Sequence, residues 1–172
     1  MQTAARPVIA TRVNPIAGRE TEHRCIKPAE RSRRVVIVGG GPAGMQAAVT
    51  ASERGHRVTL FEKDDTLGGA LRYAAGPEFK ADMREYLDWL VRKANRSGAE
   101  MKLGTKATAA AIEALQPEVL ILAVGAEALI PELPGIAGPN VVWAGEVDTG
   151  AAATGRSVVV AGAGLTGCET AL

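Results

Sequence analysis

The sequence predicts an α/β fold, a parallel sheet with helices on both faces, and three features of the 172-residue chain carry that prediction. A β-branched run at Val35–Val38, a glycine-rich turn, a helix-like stretch and a second run at Arg57–Phe61 make a compact βαβ unit, which requires a right-handed crossover and parallel pairing. The runs are apolar at consecutive positions rather than alternating, as in strands buried on both faces. The same order of β-branched run, glycine turn and helix start returns near the C-terminus, from Ser157 onward.

Residues 1–33 read as an irregular lead-in, because Pro7, Pro15, Gly18 and Pro28 break any long periodicity. Arg31, Arg33 and Arg34 read as a solvated junction before the first strand, Val35–Val38. Pro42–Arg54 is the first predicted helix, with Gly55 as its C-cap. Arg57–Phe61 is the second strand. Phe79–Ala94 carries Phe79, Met83, Tyr86, Leu87, Leu90, Val91 and Ala94 at helical spacing, with charged residues on the other side. That is an amphipathic surface helix, closed by Gly98, on which Trp89 falls at a core or rim position. Ala99–Leu103 is the third strand and Glu118–Val124 the fourth, apolar on both faces. Leu129–Asn140 holds three prolines and two glycines and is a connector. Val141–Trp143 reads as a short strand, and Ser157–Ala161 as the first strand of a new sheet. The predicted division is a linker (1–33), a first domain (34–150) and the start of a second domain (151–172).

Composition narrows the function classes. A net charge of +1 gives no electrostatic case for nucleic acid or a membrane surface. No apolar run approaches the ~20 residues of a membrane span, and Val119–Ala126 is strand-sized. Cys25 and Cys168 lie far apart, with neither disulfide nor metal-ligand spacing, which fits a reducing, cytoplasmic compartment. Cys168 reads as a buried helix cysteine. His23 and His56 suggest no role. The N-terminus lacks the apolar core of a secretory signal, and Arg6 and Arg12 come without the amphipathic face of a transit peptide.

Two G-x-G-x-x-G fingerprints hold the chemistry. The first is Gly39-Gly40-Gly41-Pro42-Ala43-Gly44 and the second Gly162-Ala163-Gly164-Leu165-Thr166-Gly167. Gly39 permits the tight turn out of the strand. Gly41, lacking a Cβ, lets backbone approach a pyrophosphate, and Gly44 lets helix and strand pack closely. The N–H groups around Pro42–Met45 then face phosphate oxygens with the helix dipole behind them. Pro42 suits the first turn, where its absent N–H costs nothing. Glu62, at the end of the second strand, stands at about the 20-residue offset of an acid that holds adenosine ribose hydroxyls. An acid there repels a 2′-phosphate, so the first site reads as one for FAD, ADP or NAD and not NADP. Gly68-Gly69 could pass close to a ligand or form a plain turn, and Arg72 reads as solvated. One such motif alone is weakly specific; two in tandem indicate a Rossmann-like flavoprotein carrying two dinucleotides.

Longer segments resemble that class in detail. Glu62-Lys63-Asp64-Asp65-Thr66-Leu67-Gly68-Gly69 resembles its flavin-binding loop, which implies that Lys63, Gly68 and Gly69 line the cofactor. Ala123-Val124-Gly125 before Leu133-Pro134-Gly135 resembles its "ATG" segment, placing Ala123 and Gly125 beside the flavin nucleotide. Ala107 stands where the class often has a valine near adenine. Gly162, Gly164 and Gly167, followed by Cys168-Glu169, resemble the start of an NAD(P)-binding domain. The lead-in narrows the resemblance. Val13-Asn14-Pro15-Ile16-Ala17-Gly18-Arg19-Glu20 and Ile26-Lys27-Pro28-Ala29 resemble the linker of the 2,4-dienoyl-CoA reductase and trimethylamine dehydrogenase group.

Those are old-yellow-enzyme-like NADH:flavin oxidoreductases. The resemblance implies FAD at the first site, NAD(P)H at the second, and a covalently linked TIM barrel bearing FMN and a [4Fe-4S] cluster upstream. It further implies a module truncated at its C-terminus, with residues 1–172 inactive alone and short of the segment that completes the flavin site. No catalytic residue and no metal ligand is assigned. The group's last cluster cysteine precedes Val-Asn-Pro, where this chain has Thr11-Arg12, and no C-x-x-C run occurs. Two other readings remain open. One is a non-catalytic ADP-binding module, as in trimethylamine dehydrogenase-like members. The other is a flavoprotein like the small subunit of glutamate synthase, against which the Asn-Pro-x-x-Gly linker argues.

Overall fold

A computed structural model describes residues 17–23 and 25–172. The expectations that rest on residues 1–16, among them Thr11 and the Val13–Ile16 part of the linker motif, lie outside the described residues.

The lead-in is not wholly irregular. It holds one helical turn, α1 (Glu20–His23), and the Gly18 backbone N–H donates to Glu20 Oε1 at 3.0 Å. Four parallel strands follow: β1 (Arg34–Val38), β2 (Arg57–Phe61), β3 (Glu100–Lys102) and β4 (Val119–Leu122). Their order across the sheet is β3-β2-β1-β4. Val38 lies opposite both Phe61 and Leu122, so the C-terminal ends of the three longer strands are level.

Two helices cover one face. α2 (Pro42–Glu53) and α4 (Ala81–Asn95) bring Met45, Ala48, Val49, Leu90 and Ala94 onto Val35, Ile37, Val58 and Leu60. Full burial of one such aliphatic side chain contributes about 1.5–3 kcal/mol. Gly55 follows α2 with a φ of +87°, as its C-cap role requires. Three short helices carry no strong periodic signal: α3 (Leu71–Ala74), α5 (Ala109–Ala114) and α6 (Ala144–Asp148). The last helix is α7 (Leu165–Thr170).

Several expectations need correction. Double-faced burial holds for β1, where Val35, Val36 and Ile37 are all buried, but not for β4. Val119 and Ile121 of β4 pack on the core, whereas Leu120 is 45% and Leu122 68% exposed. The reason is coverage, since α2 and α4 cover the other face. Val141–Trp143 is no strand: it runs unpaired into α6, and the Trp143 indole lies over Gly145 and edge-on to Tyr73, 4.8 Å between centroids. Ser157–Ala161 has no ladder partner among the described residues, and Val158, Val159 and Val160 are exposed. Phe79 precedes α4 and is exposed, because the chain at Pro77–Lys80 is still turning. Cys168 is exposed; its thiol lies 3.7 Å from the Ala163 carbonyl, on a short helix that no sheet of the described residues covers. Trp89 sits at the rim, stacked on Tyr86 with Lys93 over its ring.

The arginine junction is pinned rather than simply solvated. Arg31 pairs with Glu118 at 2.7 Å, the Arg34 N–H donates to the same carboxylate, and Arg34 Nε donates to the Gln116 carbonyl. These contacts tie the start of β1 to the turn that delivers β4.

Candidate functional site

The site forms where β1 and β2 end together and the chain turns into α2. Gly39 has a φ of +107°, which L side chains rarely adopt, and a Cβ there would run into the Ala123 carbonyl. The Ala123 N–H donates to the Val38 carbonyl at 2.8 Å, so the segment after β4 is held against this turn. Gly44 faces back on the turn, and a Cβ on it would overlap the Gly39 carbonyl oxygen. Gly39, Gly44 and Ala123 are thus brought together.

Gly41 behaves differently. It is extended (φ −72°, ψ −179°), and a Cβ on it would approach only Gly69 Cα, at 3.9 Å. The space beside it is a cradle that any side chain would fill. No side chain caps α2, whose first residue is Pro42, so the N–H groups of Ala43 and Gly44 keep the open donors of a helix start. This combination is what a pyrophosphate requires.

Glu62 lies beside that cradle, only 7% exposed. Its Oε2 accepts the Gly40 N–H at 2.5 Å and its Oε1 accepts the Asp64 N–H at 2.9 Å. A carboxylate has about four acceptor positions, so two remain for hydroxyl donors. The loop after Glu62 then folds back over the turn. Gly68 N–H donates to the Gly40 carbonyl at 2.9 Å, and Leu67 packs where a Gly40 Cβ would be. Gly68-Gly69 is therefore no plain turn, since Gly69 lies against Gly41 so closely that a Cβ would come within 2.9 Å of its Cα.

Arg72 also departs from its expected solvation. Its guanidinium donates to Thr66 Oγ1 at 2.6 Å and to Asp64 Oδ2 at 2.5 Å, closing the loop on itself. Sequence reasoning gave Gly40 no role of its own and read Arg72 as solvated, because both roles come from a loop returning across sequence. Of the remaining candidates, Lys63 is exposed and Ala107 half-buried, two residues past Thr105, whose N–H donates to the Glu62 carbonyl. Gly125 has a φ of +69° two residues beyond Ala123.

The second fingerprint repeats the first in backbone conformation. Gly162 has a φ of +123°, Gly164 is extended (φ −77°, ψ −178°), and a Cβ on Gly167 would overlap the Gly162 carbonyl oxygen. The Cys168 N–H reaches the Gly164 carbonyl at 3.0 Å, as the Met45 N–H reaches that of Gly41 at 2.9 Å. One difference separates them: a Cβ on Gly162 would meet nothing within 4 Å, where Gly39 has Ala123. The second turn keeps its shape with no neighbouring strand among the described residues.

Residues 33–172 match the family described as pyridine nucleotide-disulphide oxidoreductase. The chain belongs to that family. Membership implies FAD and NAD(P) as cofactors, and the open cradle at Gly41 beside the buried Glu62 fits an adenosine diphosphate moiety. Relatives of this pyridine nucleotide-disulphide oxidoreductase chain include an NADH oxidase of Thermoanaerobacter brockii, 46% identical over 92% of the chain and 25% of that protein. A cinnamate reductase of Clostridium sporogenes is 39% identical over 95% of the chain and 24% of its own length. Among solved structures, a 2-naphthoyl-CoA reductase complex superposes with a TM-score of 0.82 at 33% identity, covering 92% of the chain and 24% of that protein. The chain spans about a quarter of the length of these relatives. No described helix is long and apolar enough to cross a membrane.

Proposed function

We propose that this chain is the dinucleotide-binding part of a larger NAD(P)H-dependent flavoprotein oxidoreductase of the 2,4-dienoyl-CoA reductase type. Gly39, Gly41, Pro42, Ala43 and Gly44 hold the pyrophosphate of FAD, and Glu62 takes its adenosine ribose. Lys63, Gly68, Gly69, Ala107, Ala123 and Gly125 line the same nucleotide. Gly162, Gly164 and Gly167 begin the NAD(P)H site. Residues 34–150 belong to the flavin domain and 151–172 to the pyridine-nucleotide domain, with residues 1–33 as the linker to a barrel bearing FMN and a [4Fe-4S] cluster.

The observation that carries this reading is the repeated turn. Two fingerprints with a left-handed φ at Gly39 and Gly162, and matching extended φ and ψ at Gly41 and Gly164, suit two dinucleotides, and an electron-transfer protein needs one as donor and one as acceptor. Bound FAD supplies the acceptor for the hydride of NAD(P)H. The protein's part is to hold and orient both nucleotides, which is the usual division of labour with such cofactors. Relatives named cinnamate reductase and 2-naphthoyl-CoA reductase support a conjugated, unsaturated final substrate, and two cysteines far apart in sequence suit a cytoplasmic enzyme.

The test uses the protein at its natural length. Anaerobic addition of NADH or NADPH should bleach the flavin absorbance, and an unsaturated acyl acceptor should restore it. A purified protein that retains ADP, no flavin, and leaves both nucleotides unoxidised would instead establish a structural ADP site.

A further inference from the structure

Among the described residues no sheet pairs with the run before the second fingerprint, yet its helix is held. α7 is anchored to the first domain through two side-chain contacts. Lys80 Nζ meets Glu169 Oε2 at 2.5 Å, with side chains only 15% and 22% exposed. Thr170 Oγ1 stands 3.2 Å from Asp148 Oδ2 at the end of α6, sharing its one proton with the Thr166 carbonyl of its own helix at 2.9 Å. A pair this sheltered attracts more strongly, and is screened less by salt, than an exposed one.

The first-domain side of this contact is itself fixed. The Arg84 guanidinium donates to the carbonyls of Ala75, Pro77 and Glu78, gathering the loop ahead of α4. The Lys80 N–H donates to the Pro77 carbonyl at 3.0 Å. Gly76 lies so close to Asp148 that a Cβ would run into its carbonyl oxygen. Lys80 and Asp148 therefore project from one braced unit, and Glu169 sits two residues beyond Gly167 of the second fingerprint.

We propose that Lys80 and Glu169 are positioning residues: their ion pair, seconded by Asp148 and Thr170, fixes the pyridine-nucleotide turn relative to the flavin turn. Each acts through the helix that begins at the second fingerprint. The inference rests on the proposed function for its consequence in electron transfer, but the contact is testable without it.

The experiment compares wild type, Lys80→Glu and the charge-swapped Lys80→Glu/Glu169→Lys in the protein at its natural length. Amide hydrogen exchange across 165–170 should rise at least fivefold in the single variant and return to within twofold of wild type in the swap. The rate of flavin reduction at saturating NAD(P)H should fall at least tenfold in the single variant and recover in the swap, with flavin content unchanged throughout. Unaltered exchange in Lys80→Glu overturns the proposal, and so does altered exchange with an unaltered reduction rate. A wild type that oxidises no NAD(P)H refutes the proposed function instead, while the exchange comparison still decides whether the pair holds the turn.

Discussion

Glu62 and Gly40 lie 22 residues apart in sequence and are joined by a 2.5 Å bond from backbone N–H to carboxylate. The bond ties the end of β2 to the turn that leaves β1. Under the proposed function, this one side chain shapes the phosphate cradle and offers its remaining acceptors to a ribose. Glu62→Gln removes the charge and keeps the size. Nucleotide binding is expected to weaken by about 1–2 kcal/mol, the scale of a charge-assisted hydrogen bond. Calorimetry with ADP and FAD checks this, and an unchanged Kd removes Glu62 from the site.

Gly41 and Gly44 stand three residues apart and should fail in opposite ways. Gly41→Val fills the cradle but meets little protein, so flavin should be lost while the circular dichroism spectrum and Tm stay near wild type. Gly44→Ala drives a Cβ onto the Gly39 carbonyl, and overpacking of this kind costs about 1–3 kcal/mol or more. Urea unfolding of both variants separates the effects; a yellow Gly41→Val protein with a normal flavin spectrum contradicts the assignment.

Leu90 is fully buried between α4 and the sheet. Leu90→Ala should destabilise the fold by about 2–5 kcal/mol, combining lost transfer energy with the cavity left behind. A loss below 1 kcal/mol, on the same unfolding curve, would mean that α4 is not packed on β1 and β2 as described.

Glu118 accepts the Arg34 N–H, which holds its carboxyl below the usual carboxylate range, with the Arg31, Arg34 and Arg33 charges adding to the effect. A folded-state value lowered in this way contributes stability above the unfolded pKa, and the contribution is lost as pH falls through the folded value. Wild type should therefore melt above Glu118→Gln near neutral pH, and the gap should close on acidification below the carboxylate range. A gap constant with pH contradicts the role given to the charge.

Much of this was readable from residues alone. β2 matches its expected bounds, and β1 and α2 match within a residue, because β-branched runs, Pro42 and Gly55 each act locally. Spacing singled out Glu62, and the structure places it buried against the Gly40 N–H. What escaped depends on contacts distant in sequence. Val141–Trp143 has strand composition, but Trp143 finds Gly145 and Tyr73 instead of a neighbouring strand. α5 had a legible signal in Thr108, which caps it by accepting the Ala111 N–H. The clasp of Arg72 on Asp64 and Thr66 had none, since any loop arginine looks alike until the loop closes.

The strand order β3-β2-β1-β4 has a consequence for synthesis. Among the four described strands, β1 is made first yet sits inside the sheet, and its second neighbour, β4, follows after the other two. Arg34 and Glu118, which bond where that neighbour begins, are 84 residues apart. At roughly 5–20 residues per second, the ribosome needs on the order of ten seconds to cover that interval. Throughout it, the nascent β1 shows a bare apolar edge open to other chains. The danger to this protein's yield in a cell falls in that window, and slowing translation between β2 and β4 would lengthen it.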